Sequence, residues 1–333
     1  MVYRRAWSQY LYPLGQPLRA AATGLLRDSI GPMADTPSNP LFPGKQFIST
    51  VLEALETKTR MTGTIAHRYL MRAAMAGMIV AVFYVVNYAI VGTFDELSVG
   101  GASLAGVGRV LGALCFGPAL VFIYYTRSEL LTSNMMVVVI GGYYRRISWW
   151  RGLRVLGMCL LGNFLGGLGF ALLYRFSSLL GGSTGDQAVH SVETKLAYLS
   201  SASGIGDLLV RAILCNFMIN LAMLLIYNGF IHEDWSKIFS MIMAVFVFAF
   251  LGLEHSVANT VLFTVVGMTH GIEVPLAMGN VAVALLGNFV GGGLLIGAYY
   301  AYANDDSRWL RRHAASQPAA QAEGSQKPKA TRS

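Results

Sequence analysis

Long apolar runs constrain this chain more than any motif in it. They extend from Ala73 to Val91, from Val110 to Tyr125 and on past a polar patch to Gly142, from Val155 to Leu173, from Ala212 to Phe230, from Ile238 to Gly267, and from Val274 to Tyr302. Crossing a bilayer as a helix takes roughly 20 predominantly apolar residues, so each run predicts a span. Charged residues make up 13% of the 333, about half of the ~25% typical of soluble domains, which excludes an ordinary water-facing surface. Lipid offers the backbone no hydrogen-bond partners, so runs of this kind cross as helices. The expected class is an all-α integral membrane protein with six transmembrane helices.

Charge sets the orientation. Arg4, Arg5, Arg19, Arg27, Lys45, Lys58, Arg60, Arg68 and Arg72 precede the first span, and Arg308, Arg311, Arg312, Lys327, Lys329 and Arg332 follow the last. The segment between spans two and three holds Arg145, Arg146, Arg151 and Arg154 and no acid, whereas the loop from Thr93 to Ser103 holds Asp95 and Glu96 and no base. Bases concentrated at the ends and in one loop follow the positive-inside rule, which accounts for the net charge of +8 without a nucleic-acid partner. Both termini are expected in the cytoplasm, which requires an even number of spans.

Residues 1–66 read as a cytoplasmic extension with an amphipathic helix, 67–305 as the transport domain, and 306–333 as a cytoplasmic tail. The Ala-, Gln-, Ser- and Lys-containing stretch from Ala314 is expected to be disordered. A bacterial inner membrane is the expected compartment. Residues 1–27, with four arginines and no acid, also have the composition of a transit peptide, which leaves a plastid envelope as the alternative.

The chain repeats itself. Gly162-Asn163-Phe164-Leu165-Gly166-Gly167 recurs 125 positions later as Gly287-Asn288-Phe289-Val290-Gly291-Gly292, and at the same offset Glu129 matches Glu254 and Asn134 matches Asn259. Each copy then holds three spans (about 67–175 and 205–302). An odd number of crossings inverts the second copy. In transport folds built from inverted repeats, the substrate site lies where broken helices meet at mid-membrane. Both matched patches, Tyr124 to Asn134 and Leu251 to Thr260, are polar interruptions of apolar runs, so helices 2 and 5 are expected to be broken there. Non-helical backbone at that depth survives only when buried in protein or lining a cavity.

His255 is the only one of six histidines inside a predicted span. An ionisable group at membrane depth is a functional candidate, and imidazole can either give a proton to a weak acid or hold one and attract an anion. A carboxylate in an anion path repels its substrate, so Glu129 and Glu254 read as capping or bracing the break, with Asn134 and Asn259 beside them. Arg127 either attracts anions or neutralises a glutamate. Cys115, Cys159 and Cys215 lie inside apolar runs without metal spacing, so neither a metal site nor a disulfide is indicated, and no cofactor is expected.

These residues resemble the formate/nitrite transporter family over roughly residues 50–305. Arg127-Ser128-Glu129-Leu130-Leu131-Thr132-Ser133 is similar to its first signature, Ala212 to Met218 with Cys215-Asn216 to its second, and Gly252 to Asn259 matches its third throughout. The resemblance implies a homopentamer of aquaporin-like protomers, each with a pore for small monovalent acid anions. It implies His255 as the central pore histidine, Thr132 as its hydroxyl partner, and Asn216 as a polar lining residue. Phe116, Leu120, Leu130 and Phe248 are implied as apolar constrictions. Lys195 is the only candidate for the family lysine outside the fourth span, and it lies several residues farther from Asn216 than the family pattern expects. Arg127 stands where glycine is usual, Leu131 where an aromatic or isoleucine is usual, and Asn220 where cysteine is common.

The expected function is therefore proton-linked passage of formate or nitrite, the partners being the anion, protons and the lipid bilayer. Lactate, acetate or hydrosulfide conductance is the alternative within the same family. An aquaporin-type neutral-solute channel lacks its paired Asn-Pro-Ala motifs here. An enzyme reading fails because Glu254-His255 has no second histidine at zinc-helix spacing and no nucleophile motif accompanies it.

Overall fold

The computed structural model describes residues 40–315, so residues 1–39 and 316–333, with the expected transit-like segment and most of the disordered tail, lie outside the described residues. The first element, α1 (Lys45–Thr64), places Phe47, Ile48, Val51 and Leu55 on one helical stripe, and that stripe is buried. These residues, read from sequence as part of a surface lead, thus contribute to the core. α2 (Ala66–Asp95) follows after a one-residue interruption at Ile65. It ends where Asp95 and Glu96 replace the apolar run, and a two-stranded hairpin, β1 (Ser98–Val99) with β2 (Ala102–Ser103), turns the chain. Gly100 and Gly101 sit at φ 62° and 84°, the left-handed pair that a tight two-residue hairpin requires.

The second apolar run folds as α3 (Ala105–Phe116), α4 (Pro118–Tyr125) and α5 (Leu131–Tyr143). Pro118 opens α4, where its missing N–H is tolerated and its ring resets the helix after Gly117. The third run is α6 (Trp149–Arg175). A surface helix, α7 (Gly182–Ala197), and a tight turn at Tyr198–Ser200 lead into α8 (Ala202–Tyr227). The fifth run folds as α9 (Asp234–Phe250) and α10 (Ser256–Thr269). The sixth starts as α11 (Val274–Asn288), widens into a π-helical stretch through Gly291, Gly292 and Gly293, and returns to α-helix in α12 (Tyr299–Ala303).

Ser307–Ala315 forms a short helix, α13, where the sequence reading has unstructured tail. Asp305 Oδ1 accepts from the Ser307 N–H at its start, and the Trp309 ring meets Phe42 edge-on. Among the described residues, five helical stretches are long and apolar enough to cross a membrane: Ala66–Asp95, Ala105–Tyr125, Trp149–Arg175, Ala202–Tyr227 and Val274–Arg311.

The repeated Gly-Asn-Phe motif has a packing function. A Cβ on Gly166 would collide with the Ala74 carbonyl of α2, and one on Gly291 with the Ile213 carbonyl of α8. Glycine at these positions lets α6 approach α2, and the π-helical stretch after α11 approach α8, at backbone distance, as small residues do between membrane helices.

Candidate functional site

Both polar patches are breaks, at 126–130 between α4 and α5 and at 251–255 between α9 and α10. A break strands backbone groups that water cannot reach, so each needs a partner. At the first break, Asn163 Nδ2 donates to the carbonyls of Ala73 and Glu129, both at 2.8 Å, and its Oδ1 accepts from the Leu131 N–H at 3.2 Å. At the second, Asn288 Nδ2 donates to the carbonyls of Ala212 (2.8 Å) and Glu254 (2.9 Å), and Oδ1 accepts from Ser256 N–H at 2.8 Å. The backbone brace is therefore the asparagine of the repeated motif, because a carboxylate has no N–H to offer a carbonyl. The expectation that Glu129 and Glu254 themselves brace the backbone is corrected accordingly.

The glutamates tie side chains together instead. Glu129 pairs with Lys58 of α1 and accepts from Asn134 Nδ2 at 3.1 Å. Glu254 pairs with Lys195 of α7 at 2.7 Å and accepts from Asn259 Nδ2. Asn134 Nδ2 also reaches the Tyr69 hydroxyl, and Asn259 Nδ2 reaches Asn280 Oδ1 at 2.8 Å. Both carboxylates are buried, Glu254 with 1% of its surface exposed, and burial of a charge without a partner is costly.

His255 is the cap residue of α10. Its Nδ1 accepts from the Ala258 N–H at 3.2 Å, and its Nε2 lies 3.0 Å from Thr132 Oγ1. With Nδ1 an acceptor, the proton of the neutral ring sits on Nε2, which donates to Thr132. Thr132 is held in turn through its carbonyl, which accepts from Asn216 Nδ2 (3.2 Å) and Asn220 Nδ2 (3.3 Å) of α8. Asn216 also reaches the Asn288 carbonyl at 2.6 Å. Like Thr132, it is fully buried and not among the residues lining the cavity beside His255.

That cavity has a volume of about 20 Å³, space for one water, and its wall includes His255, Phe116, Leu120, Leu130, Phe248 and Ile219. Phe248 stands 5.7 Å from the His255 ring and 5.9 Å from Phe116, centroid to centroid. Of the residues singled out from sequence, the four apolar ones and His255 meet here. Arg127 does not line it; it is exposed in the first break at φ 55°. No group of three or more metal-type ligands exists among the described residues.

Sequence reasoning missed Lys58, the bracing asparagines and the Asn216–Asn220 support for Thr132. Asn163 and Asn288 were legible in principle, since each is the one polar side chain of its repeated motif. Lys58 was not, because it falls outside the 125-residue offset.

A family model described as "Formate/nitrite transporter" matches residues 45–302. The Nitrite transporter NirC of Salmonella typhimurium is 32% identical over 60% of this chain and 72% of its own length. The Formate channel FocA of Escherichia coli is 27% identical over 59% of this chain and 74% of its own. Among solved structures, an FNT family ion channel superposes with a TM-score of 0.66 at 24% identity, covering 78% of this chain and 99% of that one. A pentameric formate channel with formate bound gives 0.56 at 20% identity, over 75% and 98%.

Proposed function

The chain belongs to the formate/nitrite transporter family and is a multi-pass membrane protein, and from that premise we propose that it conducts formate or nitrite, linked to a proton, past His255. The observation that carries this reading is the 3.0 Å pairing of Thr132 with His255 beside a cavity walled by Phe116, Leu120, Leu130 and Phe248. A bare small anion meets a large desolvation barrier at such a constriction, and its neutral acid a far smaller one. Lys58 and Lys195 neutralise the buried glutamates, so an approaching anion meets no uncompensated carboxylate at either break.

The His255 tautomer gives the ring a defined task. Nε2–H donates to Thr132, which leaves the threonine hydroxyl hydrogen available to a substrate oxygen. A doubly protonated ring has no lone pair on Nδ1 and releases the cap on Ala258, so charging His255 is coupled to loosening the first turn of α10. Because the cavity takes one water, a three-heavy-atom acid passes only when the surrounding apolar side chains swing aside.

The remaining architecture belongs to the same proposal: six crossings in two inverted halves, helices 2 and 5 broken, both termini cytoplasmic, an inner-membrane location, and a homopentamer with one pore per protomer. The interrupted α9–α10 run, added to the five long apolar stretches, supports the sixth crossing. The pentameric neighbour supports the assembly.

The test is uptake of formate, nitrite, lactate and hydrosulfide into liposomes holding the purified protein, at about pH 5.5 and 7.5, either side of the ordinary histidine pKa. Formate or nitrite is expected to enter faster at the lower pH, and His255→Ala to lose that dependence. Flux unchanged in rate and pH dependence by His255→Ala sinks the role of the histidine.

A further inference from the structure

Where α6 and α10 end, a second cavity of about 330 Å³ opens, far larger than the one at His255 and built from different chemistry. Arg175, Phe176, Ser177, Ser178, Thr269 and His270 line it. Arg175 spends one N–H on the Met268 carbonyl at 2.6 Å. No carboxylate pairs with it among the described residues, so a full positive charge and most of the guanidinium fork remain uncommitted. His270 Nδ1 lies 2.8 Å from Thr269 Oγ1, and Nε2 has no hydrogen-bond partner among the described residues. Thr269 and Ser177 give their hydroxyl hydrogens to the Val265 and Tyr174 carbonyls, so an uncompensated guanidinium, an imidazole and the Ser178 hydroxyl form the donor set, one suited to a phosphoryl oxyanion.

The surroundings of the cleft narrow the source of that oxyanion. Leu173, Phe176 and Leu179 are 62%, 86% and 58% exposed, and Phe176 also lines the cavity. They flank Arg175 at the very end of a membrane-length helix, the depth at which headgroups meet acyl chains. A free anion has no use for this apolar ramp, whereas a lipid fills both parts at once. The volume lies at the lower end of small-molecule pockets, with room for a phosphate and the glycerol joined to it.

We propose that this cleft is a binding site for an anionic phospholipid, whose phosphate takes the donors of Arg175, doubly protonated His270 and Ser178 while its chains run along Leu173 and Phe176. The site is separate from the pore, and the proposal does not depend on which anion the pore carries.

The experiment is native mass spectrometry of the full-length protein titrated with phosphatidylglycerol, with phosphatidylcholine as the zwitterionic control and inorganic phosphate as the free-anion arm. Phosphatidylglycerol is expected to be retained preferentially. His270→Gln and Ser178→Ala should each weaken retention several-fold and Arg175→Gln about tenfold, while Arg175→Lys keeps part of it. Arg175→Gln also loses the Met268 contact, so the His270 and Ser178 variants carry the test if it fails to fold. Equal lipid retention in all variants overturns the proposal. So does thermal protection by inorganic phosphate without lipid retention, which assigns the cleft to a free ion. A change of oligomeric state in the variants with lipid retention intact overturns it as well, by assigning the cleft to a second copy of the chain.

Discussion

The two helix breaks share a scaffold and differ in what they present to the cavity. Each is clamped by one asparagine that satisfies two carbonyls and one N–H. Each carries a buried glutamate paired with a lysine and an asparagine. The residue at the start of the returning helix has nearly the same backbone in both, Leu130 at φ −109°, ψ 126° and His255 at φ −108°, ψ 114°. The side chains there do opposite things. Leu130 caps nothing and closes the cavity, while His255 caps α10 and turns Nε2 to Thr132. Holding the backbone open falls to residues the two breaks share, whereas the side chain that meets Thr132 belongs to the second alone.

Four perturbations test that separation. The largest effect is expected from the braces. Asn163→Ala and Asn288→Ala each orphan two buried backbone groups of the break, one carbonyl and one N–H, at about 1–3 kcal/mol apiece, so either should cost about 2–6 kcal/mol in chemical or thermal unfolding. A much smaller loss for one of them breaks the equivalence of the scaffolds. Next come the ion pairs: Lys58→Met and Lys195→Met leave a buried carboxylate alone, at about 3–5 kcal/mol each. The same unfolding measurement should rank Lys195→Met the worse, because Glu254 is the more deeply buried of the two glutamates.

The functional asymmetry should appear at the two cap positions. His255→Ala removes the N–H that orients the Thr132 hydroxyl and the cap on the Ala258 N–H, and losing one such hydrogen bond costs about 1–1.5 kcal/mol, so liposome flux should fall about tenfold. Leu130→Ala should leave flux pH-dependent and raise it; parallel losses in both variants would abolish the division of labour. The smallest effect concerns Arg127, held at φ 55° where the corresponding residue of the second break is Gly252 at φ 63°. A side chain in the left-handed region costs about 1–2 kcal/mol, so Arg127→Gly should stabilise the protein by about 1 kcal/mol. Gly252→Ala should destabilise it by a similar amount.

How much of this was legible in the sequence follows from which residues are neighbours along the chain. The apolar runs locate α2, α6 and α8 but not their starts, since α2 begins at Ala66 and α8 at Ala202, ahead of runs read from Ala73 and Ala212; the breaks show as polar residues at a repeated offset. The third signature isolates His255 because Glu254, His255, Ser256 and Asn259 stand together between the apolar run Met241–Leu253 and the mostly apolar Val261–Met268. Lys58 gave no such signal: on α1 it is one of several exposed-looking bases, and only packing brings it to Glu129, 71 residues away. The pairing of Asn216 with the Thr132 carbonyl likewise emerges only in the fold.

The sequence by itself determined the membrane class, the long apolar helices and the positions of the two breaks, because hydropathy and local polarity act over a few turns of helix and leave their mark in residue order. The tertiary structure alone decided which group satisfies each stranded carbonyl, which lysine neutralises each glutamate, and that Thr132 and His255, 123 positions apart, come within hydrogen-bonding distance. Those outcomes depend on how closely helices approach and on the rule that a polar group buried from water must find a partner wherever packing puts one.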